Sequence, residues 1–143
     1  EPIVTALSDP ANIKWKGMLT PGIEIPSNWS KAKYDSMDYK WQAERREMNK
    51  KTAQLKRDRQ PPEVIKAAED AYAKKDKEHS QIVDSYLKKN SNYGKVGAFE
   101  GAGYVPNGMY RPMLDCIMFS KGNRPFCKVC EEHIMNVIGQ YTE

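Results

Sequence analysis

Two stretches of the chain repeat every seven residues and are separated by a pair of prolines, and no other feature limits its fold as strongly. Tyr34, Met37, Trp41, Glu44, Met48, Lys51 and Leu55 recur at alternating spacings of three and four, as do Ile65, Ala68, Tyr72, Lys75, His79, Ile82 and Tyr86. Stripes at that period are the seams of helices packed side by side. They predict helices over residues 31 to about 59 and about 62 to 89. Between them, Gln60-Pro61-Pro62-Glu63 stops one helix and starts the next. Proline disfavours helix in the residue before it yet fits the first turn of the helix that follows. An antiparallel helical hairpin is therefore expected over residues 31–90.

With the seams antiparallel about that turn, positions summing to about 120 face each other. Leu55 meets Ile65, Met48 meets Tyr72, Met37 meets Ile82, Glu44 meets Lys75, and Trp41 covers His79. That makes His79 a shielded seam residue, not a ligand or a base. The hairpin also holds the chain's positive charge. Residues 31–90 contain sixteen of the twenty-three Lys and Arg and eleven of the nineteen Asp and Glu, so the net +4 is +5 there and −1 elsewhere. Interleaved signs on helices make a solvated surface, not a stripe that tracks phosphates, so nucleic acid is not an expected partner. No run of eighteen apolar residues is present, and no membrane span is expected.

The flanks read differently. At 143 residues the chain has room for one domain with a modest core and is short for two independent ones. Residues 1–30 carry turn signals at Asp9-Pro10, Thr20-Pro21-Gly22 and Ile25-Pro26-Ser27, with a short strand expected around Lys14 to Met18. Trp15 and Trp29 are expected to fill a core. The opening Glu1-Pro2-Ile3 lacks an initiator Met or a signal-peptide pattern and resembles a processed, engineered or proteolytic boundary. Residues 91–143 begin with glycines at 94, 97, 101 and 103, where the backbone turns or approaches another group closely. This run lacks both the dinucleotide and the P-loop glycine patterns. A helix is expected from about Pro125 to Tyr141, with Val129, Ile134, Val137 and Ile138 on its apolar face. The fold class is α+β, mostly α.

All three cysteines lie in Arg111-Pro112-Met113-Leu114-Asp115-Cys116-Ile117-Met118-Phe119-Ser120 and Phe126-Cys127-Lys128-Val129-Cys130. Cys116, Cys127, Cys130 and His133 match a four-ligand set for structural zinc. The same cysteines also allow one disulfide plus a free thiol, as an exported protein favours, or a redox pair opening a helix. No H-E-x-x-H occurs, and two scattered histidines support no catalytic set; these residues by themselves assemble no hydrolytic zinc centre and supply no catalytic metal ligand. On residues alone, the chain reads as a helical hairpin attached to a small cysteine-containing subdomain, and one alternative function is a non-catalytic interaction module that binds another protein through the charged hairpin.

A resemblance adds to this. Gly97-Ala98-Phe99-Glu100-Gly101-Ala102-Gly103-Tyr104, Tyr110-Arg111-Pro112, Asp115-Cys116-Ile117-Met118 and Phe126-Cys127-Lys128-Val129-Cys130 closely resemble the C-terminal part of the catalytic domain of IgA-peptidase-type zinc metallopeptidases. Glu1-Pro2-Ile3-Val4-Thr5 and Lys14-Trp15-Lys16 look like the segment after that family's zinc-binding helix. The resemblance implies a metzincin-like subdomain with the hairpin inserted into it. It implies a secreted, periplasmic or cell-surface bacterial enzyme that hydrolyses protein or peptide substrates with catalytic zinc, whose ligands and general-base Glu lie in an N-terminal remainder of the same enzyme. Met118 is then the methionine of the Met-turn, packed beneath the metal-bound histidines. That role and an ordinary core methionine both predict burial. Tyr104, Tyr110 and Arg111 become candidates for the cleft wall or for contacting substrate, including as oxyanion donors. Glu100 is expected to be a buried structural carboxylate, and the cysteines to tie the Met-turn to the C-terminal helix.

Overall fold

The structure is a computed structural model that describes residues 3–6, 11–120 and 124–142. The Asp9-Pro10 turn signal and residues 121–123, between the cysteines, lie outside these residues. Among the described residues are a 3-10 turn (Lys16–Met18), helices α1 (Lys31–Arg57), α2 (Pro62–Lys88) and α3 (Lys128–Thr142), and strands β1 (Phe99–Ala102) and β2 (Val105–Arg111). The fold is α+β and mostly helical, and none of these helices is long and apolar enough to cross a membrane. The chain forms two compact units, one from Glu1–Trp29 with Leu87–Glu143, the other from Ser30–Tyr86. The first and last segments of the sequence thus fold together.

In the second unit α1 and α2 touch at the residues their seams predict. Glu44 pairs with Lys75 at 3.2 Å, and the Trp41 ring stacks on His79 at 5.1 Å and lies 6.1 Å from Tyr72. Lys56 and Glu69 pair at 2.7 Å nearer the connection. As residue numbers rise along α1 they fall along α2, so the two helices run in opposite directions. Pro62 is the first residue of α2, where its missing N–H would have had no helical partner. Trp41 is buried, whereas Ile82 is 57% exposed, so the expected Met37–Ile82 end of the seam does not close over Ile82. Most of both helices faces water, as their interleaved charges require.

The first unit has the larger core: Ile3, Ile13, Trp15, Val96, Ala98, Cys116, Cys127, Val129 and Cys130 cluster together. The strand expected around Lys14 to Met18 is instead the 3-10 turn. Lys16 N–H donates to Ile13 O and Met18 N–H to Trp15 O; these i to i+3 bonds curl the chain so that both Ile13 and Trp15 face inward. The centre of the unit is the run Val96–Ala98, which bends at Gly97. Its Val96 carbonyl accepts from Thr20 N–H and its Ala98 carbonyl from Ser27 N–H, while Gly97 N–H donates to Pro112 O. Trp15 Nε1 donates to Gly97 O at 2.7 Å, and Ser27 Oγ accepts from Ala98 N–H at 3.1 Å. Packing this tight leaves no space for a side chain at Gly97, where a Cβ would lie 2.3 Å from Ser27 Oγ and 2.7 Å from Ile23 Cδ1.

β1 and β2 pair antiparallel, with a register irregularity between Glu100 and Ala102. The other edge of β2 is bonded to Thr5, which exchanges both backbone bonds with Tyr110. Gly103 and Tyr104 form the connection, with φ of +60° and +64°. A two-residue hairpin turn of this mirror-image type requires positive φ at both positions; glycine takes it freely, and a tyrosine there costs about 1 kcal/mol. Glu100 is half-buried rather than buried and accepts from Gly108 N–H across the hairpin at 3.4 Å. α3 begins at Lys128, later than Pro125, because the Pro125 carbonyl is taken by Ile117 N–H and the first helical acceptor is Cys127 O, bonded to Glu131 N–H.

Candidate functional site

β2 leads from its end at Arg111 through Pro112 and Leu114, both buried, to Cys116, which is 1% exposed. There the chain closes a tight turn. The Cys116 carbonyl accepts from Phe119 N–H at 3.1 Å and from Ser120 N–H at 2.9 Å, and Ile117 N–H donates to Pro125 O at 3.1 Å. A second clamp is the Asp115–Arg124 ion pair at 2.5 Å, with both side chains about six-sevenths buried. These bonds fix the base of the turn and leave Ile117 and Met118 at its tip. Met118 is 61% exposed, contrary to the burial that both the Met-turn role and an ordinary core methionine predict. The sequence did not single out the Asp115–Arg124 pair, although two opposite charges flanking a buried cysteine were a readable signal.

Behind the turn lie the three cysteines, all buried free thiols. Their sulfurs lie within 4.8 Å of one another. Cys116 Sγ is 3.7 Å from Cys130 Sγ and accepts from the Cys127 backbone N–H at 3.2 Å. Burial pushes the Cys127 and Cys130 thiols up, since a thiolate would lose its hydration there; the backbone N–H of Cys130 bonded to the Cys127 sulfur opposes this at Cys127. Neutral, buried thiols are poor nucleophiles, which argues against a redox pair. His133 does not join the group. It lies one turn beyond Cys130 but is exposed, and the three cysteines stand without it among the described residues.

The cleft candidates do not converge. Tyr104 is fully exposed at the hairpin tip, whereas Tyr110 and Arg111 sit at the far end of β2, about 20 Å away at ~3.4 Å per strand residue. Tyr110 packs on the core. The Arg111 guanidinium is held between two rings, 5.0 Å from the centroid of Trp29 and 4.7 Å from that of Phe119, and so links the end of β2 to the turn through cation–π contact. On α3, Val129 is buried, but Ile134, Val137 and Ile138 are exposed, so the expected apolar face is covered only at its first turn.

The class to which this α+β chain belongs is that of the peptidases. A family model described as IgA Peptidase M64 matches residues 1–138, and the chain belongs to that family. The match runs through the helical segment as well as both flanks. No curated protein and no solved structure matches the chain. A peptidase acts on protein or peptide substrates, and a metallopeptidase family implies a metal. A hydrolytic zinc takes three protein ligands and keeps a position open for water, whereas a thiol-only set is that of a structural site. Among the described residues, the cysteine trio is the group within ligand reach of one ion. It does not fit a hydrolytic centre.

Proposed function

We propose that this chain is the C-terminal part of the catalytic domain of an exported bacterial zinc metalloendopeptidase, working in the secreted, periplasmic or cell-surface space. In this reading Met118 is the methionine of a metzincin-like Met-turn, and residues 31–90 are a hairpin inserted into the domain. The metal ligands and the general-base carboxylate belong to a segment outside these 143 residues. The family match over residues 1–138 carries the reading. A polarizable apolar side chain stands in solvent on a turn whose base is buried and bonded from both sides, as suits a floor that another segment covers. Of the cleft candidates, Tyr104 is free to meet substrate, and Arg111 acts by positioning the turn.

The test compares the intact protein with residues 1–143 alone on a proteome-derived peptide library. Cleavage by the intact protein that o-phenanthroline abolishes and zinc restores, with none by the 143-residue chain, is the expected result. Metal-dependent cleavage by the 143-residue chain, or no chelator-sensitive cleavage by the intact protein, would overturn the reading. Met118→Leu in the intact protein should lower kcat more than it changes KM, since a supporting residue acts on the geometry of the centre rather than on substrate affinity.

A further inference from the structure

We propose that Cys116, Cys127 and Cys130 form a second, structural metal site, three thiolates that bind one zinc-class divalent cation and clamp the Met118 turn to the start of α3. Four-coordinate zinc with Zn–S bonds of about 2.3 Å holds its sulfurs about 3.8 Å apart. The Cys116 and Cys130 sulfurs are already 3.7 Å apart, and the third lies within 4.8 Å of both. Small side-chain rotations bring all three to bonding distance of one ion. A backbone N–H, that of Cys127, points at Cys116 Sγ at 3.2 Å. Such a donor favours sulfur that carries negative charge, as a metal-bound thiolate does. A disulfide between Cys116 and Cys130 uses two of the sulfurs and leaves the buried Cys127 thiol idle, whereas a cation engages all three. His133, exposed and outside the trio, is not one of its ligands. This site is independent of the catalytic reading, because thiolates alone serve structure and not hydrolysis.

The full chain, purified under reducing conditions, tests this by metal analysis and by cobalt substitution. About one zinc per chain is expected, and cobalt should give a thiolate-to-metal charge-transfer band with the strong visible absorption of a tetrahedral ion. Cys116→Ser and Cys130→Ser should each weaken binding by at least about tenfold, while His133→Ala leaves it unchanged. If a serine variant fails to fold, the unsubstituted chain still decides: its melting temperature should fall with chelator and recover with zinc. A folded chain that holds no metal, cobalt binding without the thiolate band, or peptide mapping that finds a Cys116–Cys130 disulfide as the main form overturns the site. None of these readouts depends on peptidase activity, so failure here is distinct from failure of the proposed function.

Discussion

Gly97→Ala is the substitution whose cost the structure fixes most directly. The new methyl would stand 2.3 Å from Ser27 Oγ, 2.7 Å from Ile23 Cδ1 and 3.1 Å from Ser27 Cβ. Ile23 can turn its terminal methyl aside, but Ser27 has little freedom, because its Oγ donates to Glu24 O at 2.7 Å and accepts from Ala98 N–H at 3.1 Å. Overpacking of this kind costs about 1–3 kcal/mol. If Ser27 rotates away, the Ala98 N–H, on a residue with no exposed surface, loses its partner at a further ~1–3 kcal/mol. The expected destabilisation is about 2–6 kcal/mol when Ser27 rotates, a large part of the roughly 5–15 kcal/mol that holds a domain together. Urea unfolding followed through the Trp15 indole N–H resonance reads the unit concerned, since that group donates to Gly97 O. Gly17→Ala is the control: nothing lies within 4 Å of its added Cβ, and a change within about 0.5 kcal/mol is expected. Removing the obstructing side chain with Ser27→Gly should make Gly97→Ala at least about 1 kcal/mol less costly than in the parent. Equal effects at Gly97 and Gly17, or no coupling to Ser27, would refute the close-approach argument.

Glu44→Gln should change the stability of the helical unit by less than about 1 kcal/mol in thermal unfolding, because both partners of the Glu44–Lys75 pair are about half exposed. Alkaline pH gives a signed prediction for the reduced, metal-free chain. With the Cys127 and Cys130 thiols raised above the ordinary value of 9.0, the unfolded chain releases protons first, so stability holds below about pH 9 and falls as pH climbs above it. Cys130→Ala should flatten that decline in urea titrations at successive pH values, and an unchanged slope would contradict the assignment. Hydrogen exchange addresses the turn: if a cation clamps Cys116, chelation should speed exchange at the Phe119 and Ser120 amides by at least about tenfold. The Tyr110 amide on β2, bonded to Thr5 O, should change little; a uniform response across both regions would show that no local clamp exists.

The helices were legible because their information is local. A stripe of period 3.5 and a proline pair fix where α1 and α2 lie to within two residues, and they name Glu44–Lys75 and Trp41–His79 as neighbours. Ile82 departs from the seam because the pattern states which face a residue shares, not whether its partner helix reaches that far. The first unit was harder to read. Ile13 and Trp15 alternate like a strand, yet both are buried by a curled turn anchored on Gly97, eighty-two positions along the chain from Trp15. No window of sequence carries that contact. Four glycines within ten residues did signal an unusual backbone, and at Gly97 the cause is Ser27 and Ile23 pressed against it. In the candidate site the three cysteines were picked out and do assemble. His133 matched by spacing alone and faces solvent, since the first turn of α3 buries Val129 and Cys130 and turns the next residues outward.

The arrangement around Met118 bears on how such a turn can support a centre built elsewhere. A methionine beneath metal ligands is useful only if it stays put, and an exposed loop tip by itself does not. Here the tip is short and its base is tied by independent means: two N–H groups onto the Cys116 carbonyl, Ile117 N–H onto Pro125, the Asp115–Arg124 pair, and the Arg111 guanidinium between Trp29 and Phe119. The bonds onto Cys116 close the turn on itself, those to Arg124 and Pro125 tie it to the chain ahead of α3, and Arg111 ties it to Trp29, so loss of one leaves the others to hold its position. Ordering within the free chain lowers the entropy lost when another segment covers the tip. Covering Ile117 and Met118, 40% and 61% exposed, would itself contribute about 1–3 kcal/mol. A flexible tip would forfeit much of that gain, and a buried one would have none to offer. A fixed base beneath an uncovered apolar tip is what the proposed floor would require.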